Sequence, residues 1–375
     1  MQTEEPQSPA KHNSLKDQMG HLIEEARLAL PGIQALFRFQ ADAWRCPDLY
    51  GPSRRQGTAA HPVIRPLIPF FRPGDSRHVT IRRKEESPMT RNLMHKVALL
   101  AATIAVSLSA HAASAFKAQV TGRGQPVILI PGLATSGEVW NDTVRHLCGP
   151  RQCHVLTLAG FAGQPAIDGP LLPRVDRELS EYIAANKLDK PVIVGHSLGG
   201  FVGLQFAIHH PDQLSRLVVV DSLPALGAAQ APDATPEQLR GMAAGVRERM
   251  LGQDEAGRAQ SRRLAVASMM TQPDDVERVI EWGKRSDATT VANAMAELLA
   301  TDLRQDIARI QAPTLVLGTW IAYKQFAPRE AIERNFAQQY ARLPGVRVEM
   351  ADTARHFIMY DDPAWMYDRI DRFLK

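Results

Sequence analysis

The sequence predicts an α/β fold in which a mostly parallel sheet carries helices on both faces and an all-helical lid is inserted before the last two strands. Three observations support this prediction. From Gln125 onward, short runs of Val, Ile and Leu alternate with amphipathic stretches of helical period. The alternation stops between Ser222 and Gln311, where only helical segments occur. It resumes at Pro313 and continues to the C terminus.

The first half of this region alternates strands with helices. Strands that are covered by helices on both faces read as continuous apolar runs, because neither face meets water. Each such run here leads to a segment with an apolar stripe of helical period. We therefore predict strands over 127–130, 154–158, 191–194 and 217–220, and helices over 138–147, 172–188 and 198–209.

The helical insertion divides the predicted domain. An insertion that begins where a parallel strand ends lies over the carboxyl edge of the sheet, where ligands bind in such folds. The sequence therefore predicts a core formed by residues 116–221 and 312–375 and a lid formed by 222–311. We predict lid helices over 236–251, 258–270, 274–284 and 290–303, then strands over 313–317 and 346–350, a helix over 329–342 and a final helix after Pro363.

Positive charge is concentrated in the N-terminal third of the chain. The whole sequence has 44 Lys and Arg against 40 Asp and Glu, a net charge of +4. Residues 1–113 contain 15 basic and 10 acidic residues, whereas residues 114–375 contain 29 and 30. Because the predicted domain has no basic excess, we expect no nucleic-acid partner.

A targeting segment precedes the predicted domain. A basic start leads to the apolar run Val97 to Ala110 and then to small residues. This order is typical of a secretory signal peptide with cleavage after Ala112 or Ala115, and the run is too short to span a bilayer comfortably. We predict a signal peptide over 89–115 and a periplasmic or secreted protein with no stable membrane span in the mature chain. A buried helix and an uncleaved anchor are the alternatives.

Residues 1–88 show no sustained strand or helix period. A signal peptide normally begins its chain, because the export machinery reads it as it emerges. We therefore interpret residues 1–88 as a disordered upstream extension that is not native, with translation beginning at Met89 or Met94.

Cys148 and Cys153 are the only cysteines after the signal peptide. Export places them in an oxidising compartment, where paired cysteines persist as disulfides. The sequence therefore predicts a Cys148–Cys153 disulfide. A catalytic thiol is disfavoured, because neither cysteine lies at a recognisable nucleophile turn.

The motif Gly-x-Ser-x-Gly lies at residues 195–199, between a predicted strand and a predicted helix. The motif alone arises often by chance, but this setting is that of a nucleophile elbow. Gly195 and Gly199 leave room for a very tight turn, which would hold Ser197 at its tip beside the helix N terminus. We therefore predict that Ser197 is a nucleophile.

With this motif in its setting, the region from Gln125 to Lys375 resembles the α/β-hydrolase family of the lidded, Ser-nucleophile type. The resemblance implies the chain order Ser, acid, His. Residues 351–357 read Ala-Asp-Thr-Ala-Arg-His-Phe and resemble the family's His loop, which implies that His356 is the base. A Ser hydroxyl also needs a neutral imidazole to take its proton. His196 is a poorer candidate, because neighbouring side chains on such a turn diverge.

The acid departs from the family's commonest pattern. Relatives usually carry Asp shortly after the strand that corresponds to 313–317, whereas residues 318–327 of this chain contain no carboxylate. Some members place the acid at the end of the preceding core strand, so the resemblance implies Asp221. Asp352 and Glu330 are weaker alternatives, and the acid could also be absent, which would weaken catalysis.

The resemblance further implies an oxyanion hole made of two backbone N–H groups. Leu198, which follows the nucleophile, would supply one of them. Leu133, which follows Pro131-Gly132, would supply the other. Relatives often have His-Gly in place of Pro-Gly, and we expect this difference to change the shape of the loop more than its chemistry.

Bulky side chains near this centre are candidates for a substrate pocket, with core packing as the alternative for each. We predict pocket roles for Trp140, Trp320 and Tyr323, with Phe161, Met242, Met269 and Met270 as further candidates. The charged pair Arg262-Arg263 is interpreted as a solvated helix face. No His, Cys or Asp cluster has the spacing of a metal site and no Gly-rich phosphate loop occurs, so we expect neither a metal nor a cofactor.

These features predict a hydrolase that cleaves an ester or a related acyl compound through an acyl-enzyme on Ser197, with a small-molecule acyl substrate. The resemblance leaves open an acyltransferase or an aminopeptidase-like enzyme of the same fold. A non-catalytic binding protein that lacks a working acid is the alternative outside enzymes. The sequence does not specify the substrate, because lids diverge most within the family.

Overall fold

The computed structural model describes residues 114–229, 231–324 and 327–375. The predicted upstream extension over 1–88 lies outside the described residues. So does most of the predicted signal peptide over 89–115, of which only Ser114 and Ala115 are described.

Within the described residues, seven strands form one sheet. They are β1 (Phe116–Thr121), β2 (Gln125–Ile130), β3 (Arg151–Leu158), β4 (Val192–His196), β5 (Arg216–Val220), β6 (Thr314–Thr319) and β7 (Arg347–Ala351). Their order across the sheet is β1-β3-β2-β4-β5-β6-β7, and every neighbouring pair is parallel except β1 with β3. The predicted fold class is confirmed.

The same part of the chain contains ten α-helices. They are α1 (Asn141–Leu147), α2 (Leu171–Ala185), α3 (Leu198–His209), α4 (Pro236–Gly252), α5 (Glu255–Met269), α6 (Pro273–Lys284), α7 (Ala288–Ala300), α8 (Arg329–Gln339), α9 (Ile358–Asp361) and α10 (Pro363–Leu374). Four of them, α4 to α7, lie between β5 and β6, in the segment predicted as a lid. The side chains of Thr235, Asp254 and Asp287 accept hydrogen bonds from first-turn N–H groups and start α4, α5 and α7.

The central strands are buried on both faces of the sheet. In β2, Ile128 and Ile130 join one apolar cluster, whereas Val127 and Leu129 join another. Successive side chains of a strand point to opposite faces, so a continuous apolar run supplies both clusters at once. This packing explains the unbroken apolar runs in the sequence. Because β2, β4, β5, β6 and β7 are parallel, their carboxyl ends lie together at one edge of the sheet.

The antiparallel edge strand β1 was not predicted. Only Phe116 is buried along it, and Val120 is 52% exposed, so it carries little of the apolar signal that marks the other strands. The turn from β1 to β2 depends on Gly122, which has a φ of 78°. A Cβ at that position would lie 2.3 Å from the carbonyl oxygen of Arg151. The Gly-Arg-Gly sequence at 122–124 was the available sign of this turn, which carries the chain past the position of β3 because β1 and β2 are not paired with each other.

The structure bonds Cys148, just after α1, to Cys153 in β3. The bridge ties the end of a helix to a strand over a separation of five residues. Cys153 is fully buried in the sheet. The bridge therefore restrains the turn that leads into β3.

Replacing both cysteines, as Cys148→Ser with Cys153→Ala, should lower the free energy of unfolding by about 2 kcal/mol, because the short closed loop no longer restricts the unfolded chain. Urea unfolding of the wild type with and without reductant measures this difference. Reductant should destabilise the wild type and leave the double variant unchanged. A fully reduced wild type that is as stable as the oxidised protein would contradict the prediction.

Candidate active site

Ser197 lies on a strained turn between the end of β4 and the start of α3. Its φ is 52° and its ψ is −119°, a conformation that non-glycine residues rarely adopt. The Ser197 N–H donates to the carbonyl oxygen of Val220 at 2.9 Å, which holds the turn against β5. This geometry is that of a nucleophile elbow.

Two glycines allow this turn. A Cβ on Gly195 would lie 2.1 Å from the carbonyl oxygen of Gly199, and a Cβ on Gly199 would lie 2.2 Å from the carbonyl oxygen of Ile130. Both distances are far shorter than any real contact of a Cβ with backbone. Each position therefore accepts only glycine, because any larger residue would place its Cβ inside the neighbouring backbone.

Asp221 and His356 form a hydrogen-bonded pair at the edge of the sheet. Asp221 follows β5, and His356 lies on the loop after β7. His356 Nδ1 donates to Asp221 Oδ2 at 2.6 Å, and the backbone N–H of Thr319 donates to Asp221 Oδ1 at 3.0 Å. The carboxylate is only 6% exposed, so water competes little for these bonds. When the proton of the neutral His356 imidazole is on Nδ1, Nε2 is free to accept a second proton.

The other two candidate acids lie elsewhere. Asp352 accepts hydrogen bonds from Trp320 Nε1 at 3.1 Å and from Arg329 Nη1 at 2.5 Å. Glu330 is exposed in the first turn of α8. Among the described residues, Asp221 is the carboxylate bonded to the His356 side chain.

His196 is buried beside the elbow and contacts the backbone of the His loop. It is fully buried, and its Nε2 donates to the carbonyl oxygen of His356 at 3.1 Å. Burial holds the pKa of His196 well below its ordinary value of 6.5, and the neighbouring His356 lowers this pKa further. His196 is therefore neutral near pH 7 and braces the loop that carries His356.

Ser197, Asp221 and His356 line one cavity of about 270 Å³. The wall opposite these residues comes from the predicted lid. Apolar side chains supply much of it, namely Val246, Met250, Val266, Met269, Met295 and Leu298. The cavity therefore brings the sheet edge and the lid helices together around the elbow serine.

The two predicted oxyanion-hole residues flank the elbow. Leu133 lines the cavity, and Leu198 is the first residue of α3, where N–H groups have no carbonyl partner within their own helix. Thr135 donates from its N–H to the carbonyl oxygen of Gly132 and from Oγ1 to that of Leu133. A Cβ on Gly132 would lie 3.3 Å from the Cβ of Ser197, so glycine lets this loop run close to the Ser197 side chain.

One of the three predicted pocket aromatics lines the cavity. Tyr323 does so, and burial together with the nearby charge of Asp221 raises the pKa of its phenol well above 10.0. The other two predicted pocket aromatics, Trp140 and Trp320, do not line this cavity. Trp140 is fully buried in the core and packs edge-on against His196, and Trp320 is drawn to Asp352 by its indole N–H. Of the further candidates Phe161, Met242, Met269 and Met270, only Met269 lines the cavity.

The interpretation of Arg262 as a solvated residue is also wrong. Arg262 lines the cavity, together with Arg249 and Arg258, whereas Arg263 is exposed and pairs with Glu277 at 2.6 Å. The four-residue spacing of Arg258 and Arg262 was the available signal, because it places both on one face of α5.

The turn between α5 and α6 contacts the His loop through its backbone. The N–H of Phe357 donates to the carbonyl oxygen of Met269 at 3.3 Å, and Arg355 Nη1 donates to that of Met270 at 2.8 Å. Both residues that flank His356 are therefore bonded to the lid.

The part of the chain that the structure describes contains no group of three or more His, Cys, Asp or Glu residues that could hold a metal ion. It also contains no helix that is long and apolar enough to cross a membrane.

Hydrolases of the α/β class place a nucleophile on a strand-to-helix elbow and an acid and a His at other strand ends. This chain has the same arrangement. The alpha/beta hydrolase family model matches residues 127–369. The chain therefore belongs to the alpha/beta hydrolase family, as the resemblance in the sequence indicated.

Relatives of the chain include esterases. A pimeloyl-(acyl-carrier protein) methyl ester esterase of Aeromonas hydrophila is 30% identical over 203 residues, which cover 52% of this chain and 76% of that protein. One of Vibrio cholerae is 34% identical over 110 residues, which cover 29% of this chain and only 42% of that protein's length. A hydrolase structure from Pseudomonas aeruginosa PA01 has a TM-score of 0.58 at 20% identity, covering 69% of this chain and 94% of the other, and shows the shared fold.

Buried His196 should make stability depend on pH. The folded protein keeps His196 neutral, whereas the unfolded chain binds a proton there as the pH falls below 6.5. The free energy of unfolding should therefore decrease below that pH, by up to about 1.4 kcal/mol per pH unit from this residue. His196→Gln, which keeps a side-chain N–H donor but does not titrate, should show a shallower decrease.

Urea unfolding between pH 7.5 and pH 5 measures the two slopes. The pKa of His154 is also lowered by burial, but that residue is present in both proteins, so the difference between them isolates His196. Equal slopes in the wild type and the variant would contradict the prediction.

Proposed function

We propose that this protein is a serine hydrolase that cleaves an ester or a related acyl compound through an acyl-enzyme on Ser197. The observation that carries the proposal is the hydrogen bond from His356 to Asp221 in the same cavity that the elbow serine lines. A nucleophile, a base and the group that orients the base are the parts that acyl transfer requires.

In the proposed first step, His356 Nε2 takes the proton of the Ser197 hydroxyl as its oxygen attacks the acyl carbon. The oxyanion that forms would be stabilised by the N–H groups of Leu133 and Leu198, with the positive end of α3 adding to the field. Asp221 stabilises the positive imidazolium and keeps its orientation. His356 then returns the proton to the leaving alcohol, which leaves the acyl group on Ser197.

The second step repeats this chemistry with water. His356 removes a proton from water, whose oxygen attacks the acyl-enzyme, and the proton then returns to Ser197 as the acid product leaves. The electron pairs and protons in both steps move between the substrate, water, Ser197 and His356. The proposed reaction is therefore a hydrolysis that needs no further reactant.

The relatives support an ester as the substrate class. The Aeromonas and Vibrio relatives are named as methyl ester esterases. A cavity of about 270 Å³ with largely aliphatic lid walls suits a small acyl compound. The hydrogen bond between His356 and Asp221 supports this proposal over the alternative of a binding protein without a working acid.

We also propose that the protein is exported and that signal peptidase cleaves after Ala112. The disulfide supports an oxidising compartment. Ala115 is fully buried, its N–H donates to Glu178 Oε2 at 2.7 Å, and its carbonyl oxygen accepts the Ala159 N–H at 2.8 Å. Cleavage after Ala115 would remove these bonds, so the earlier site leaves the fold intact.

Asp221→Asn should reduce kcat for a p-nitrophenyl ester by about 10,000-fold, because the amide favours the wrong tautomer of His356. Ser197→Ala should abolish turnover and also labelling by a fluorophosphonate, which reacts with activated serines. Asp352→Asn is the matched control, since it makes the same change in an exposed carboxylate outside the cavity, and it should keep wild-type turnover. Full turnover by Asp221→Asn would refute the role of Asp221.

N-terminal sequencing of the protein recovered from the periplasm or medium tests the export proposal. The expected first residue is Ala113. A first residue of Phe116 would contradict the proposed cleavage site, and recovery only from the cytoplasm with the signal segment retained would contradict export.

A further inference from the structure

The charged residues that line the cavity are predominantly positive. Within the described residues they are Asp221, Arg249, Arg258 and Arg262. The Asp221 carboxylate is occupied by His356 and by the backbone of Thr319. Among the described residues, the lid part of the cavity lining therefore contains three arginines and no acidic side chain.

Two of these arginines have no acidic partner. The described ion pairs of α4 to α6 involve Arg240, Arg258, Arg263, Arg278 and Lys284. Arg249 and Arg262 belong to none of them. Both side chains are half-buried, so part of their hydration is lost without an ionic contact in return.

The side chain of Arg262 lies in a space that Gly283 leaves open. A Cβ at Gly283 would lie 2.8 Å from Arg262 Cδ and 3.1 Å from its Nε, and Gly283 also lines the cavity. Because Gly283 has no side chain, the aliphatic part of the Arg262 side chain can pack directly against α6 in the cavity wall. An arginine on an open helix surface would have no such restraint.

Arg249 and Arg258 complete the positive wall. Burial lowers the pKa of Arg249, which shows that its charge is partly removed from water. Arg258 pairs with exposed Glu255 at 3.1 Å and lies four residues before Arg262 on α5. Like charges at this spacing repel each other, and of the two arginines only Arg258 has an acidic partner, within the described part of the chain, that offsets this repulsion.

We propose that the substrate of this cavity is an acyl ester whose end remote from the scissile bond carries an anionic group, a carboxylate or a phosphate, held by Arg249 and Arg262. This proposal rests on the proposed ester hydrolysis at Ser197. The aliphatic lid residues that share the wall, such as Val266 and Met269, would contact the chain between the two ends. The planar guanidinium fork matches either anion.

The test compares three p-nitrophenyl esters of one acyl chain length that end in a carboxylate, a phosphate or a neutral carboxamide. At least one anionic ester should exceed the carboxamide by about tenfold in kcat/KM, the effect of a hydrogen bond to a charged group. The ranking of the two anions identifies the head group. High salt should reduce the preference, because it screens the charges.

Arg249→Gln with Arg262→Gln should bring this ratio close to one, by lowering kcat/KM for the anionic ester. Arg263→Gln is the matched control. It removes the positive charge next to Arg262, but from a side chain that is exposed and paired with Glu277. It should keep the wild-type ratio. A ratio of one in the wild type, with the carboxamide ester hydrolysed through Ser197, would overturn the anion proposal and leave the proposed function standing.

Binding to Ser197→Ala, measured by calorimetry, tests the anion site independently of turnover. An anionic ester should bind about tenfold more tightly than the carboxamide, and the two arginine substitutions should remove that difference. Equal binding of all three esters would reject the site. Selective binding without any turnover or fluorophosphonate labelling of the wild type would instead reject the proposed function.

Discussion

The close approach of α3 to the backbone of β2 is the constraint on which the site depends. With hydrogen as its side chain, Gly199 lets the helix come so near that a Cβ would lie 2.2 Å from the carbonyl oxygen of Ile130. This approach bends the chain at Ser197 into a φ of 52°. Such a strained conformation persists only where the surrounding structure holds the turn in place. Here the buried strand β4 and the buried helix α3, which lie on either side of Ser197, hold it. The hydroxyl is thereby positioned by backbone geometry.

Hydrogen bonds between neighbouring strand ends place the other groups around this turn. Thr319, at the end of β6, donates to Asp221, which follows β5, and Asp221 accepts from His356, after β7. His196, at the end of β4, donates to the backbone of His356. Four adjacent strands of the sheet thus meet through one connected set of bonds. Residues that are up to 160 positions apart in the chain become neighbours because their strands are neighbours.

Features set by local sequence could be predicted, and features set by packing angles could not. The turn at Ser197 could be predicted because glycines within two residues specify it, and the position of Asp221 near His356 could be predicted because chain order and family resemblance placed it at a strand end. The position of Trp140 and Trp320 outside the cavity could not be predicted, because the direction of a side chain beyond a strand depends on its tertiary partners, here His196 and Asp352. Likewise, whether Arg258 and Arg262 face the cavity depends on how α5 packs against the rest of the protein.

The contacts between the lid and the His loop have a consequence for how sequences of this kind can diverge. The lid atoms in these contacts are the main-chain carbonyl oxygens of Met269 and Met270, which every amino acid possesses. Substitutions there do not by themselves remove the acceptors that hold the segment around His356. Mutation can therefore alter the lid surface at these two positions while the backbone acceptors that support the loop around His356 stay in place, so this part of the lid can diverge in sequence without losing its hold on the His loop.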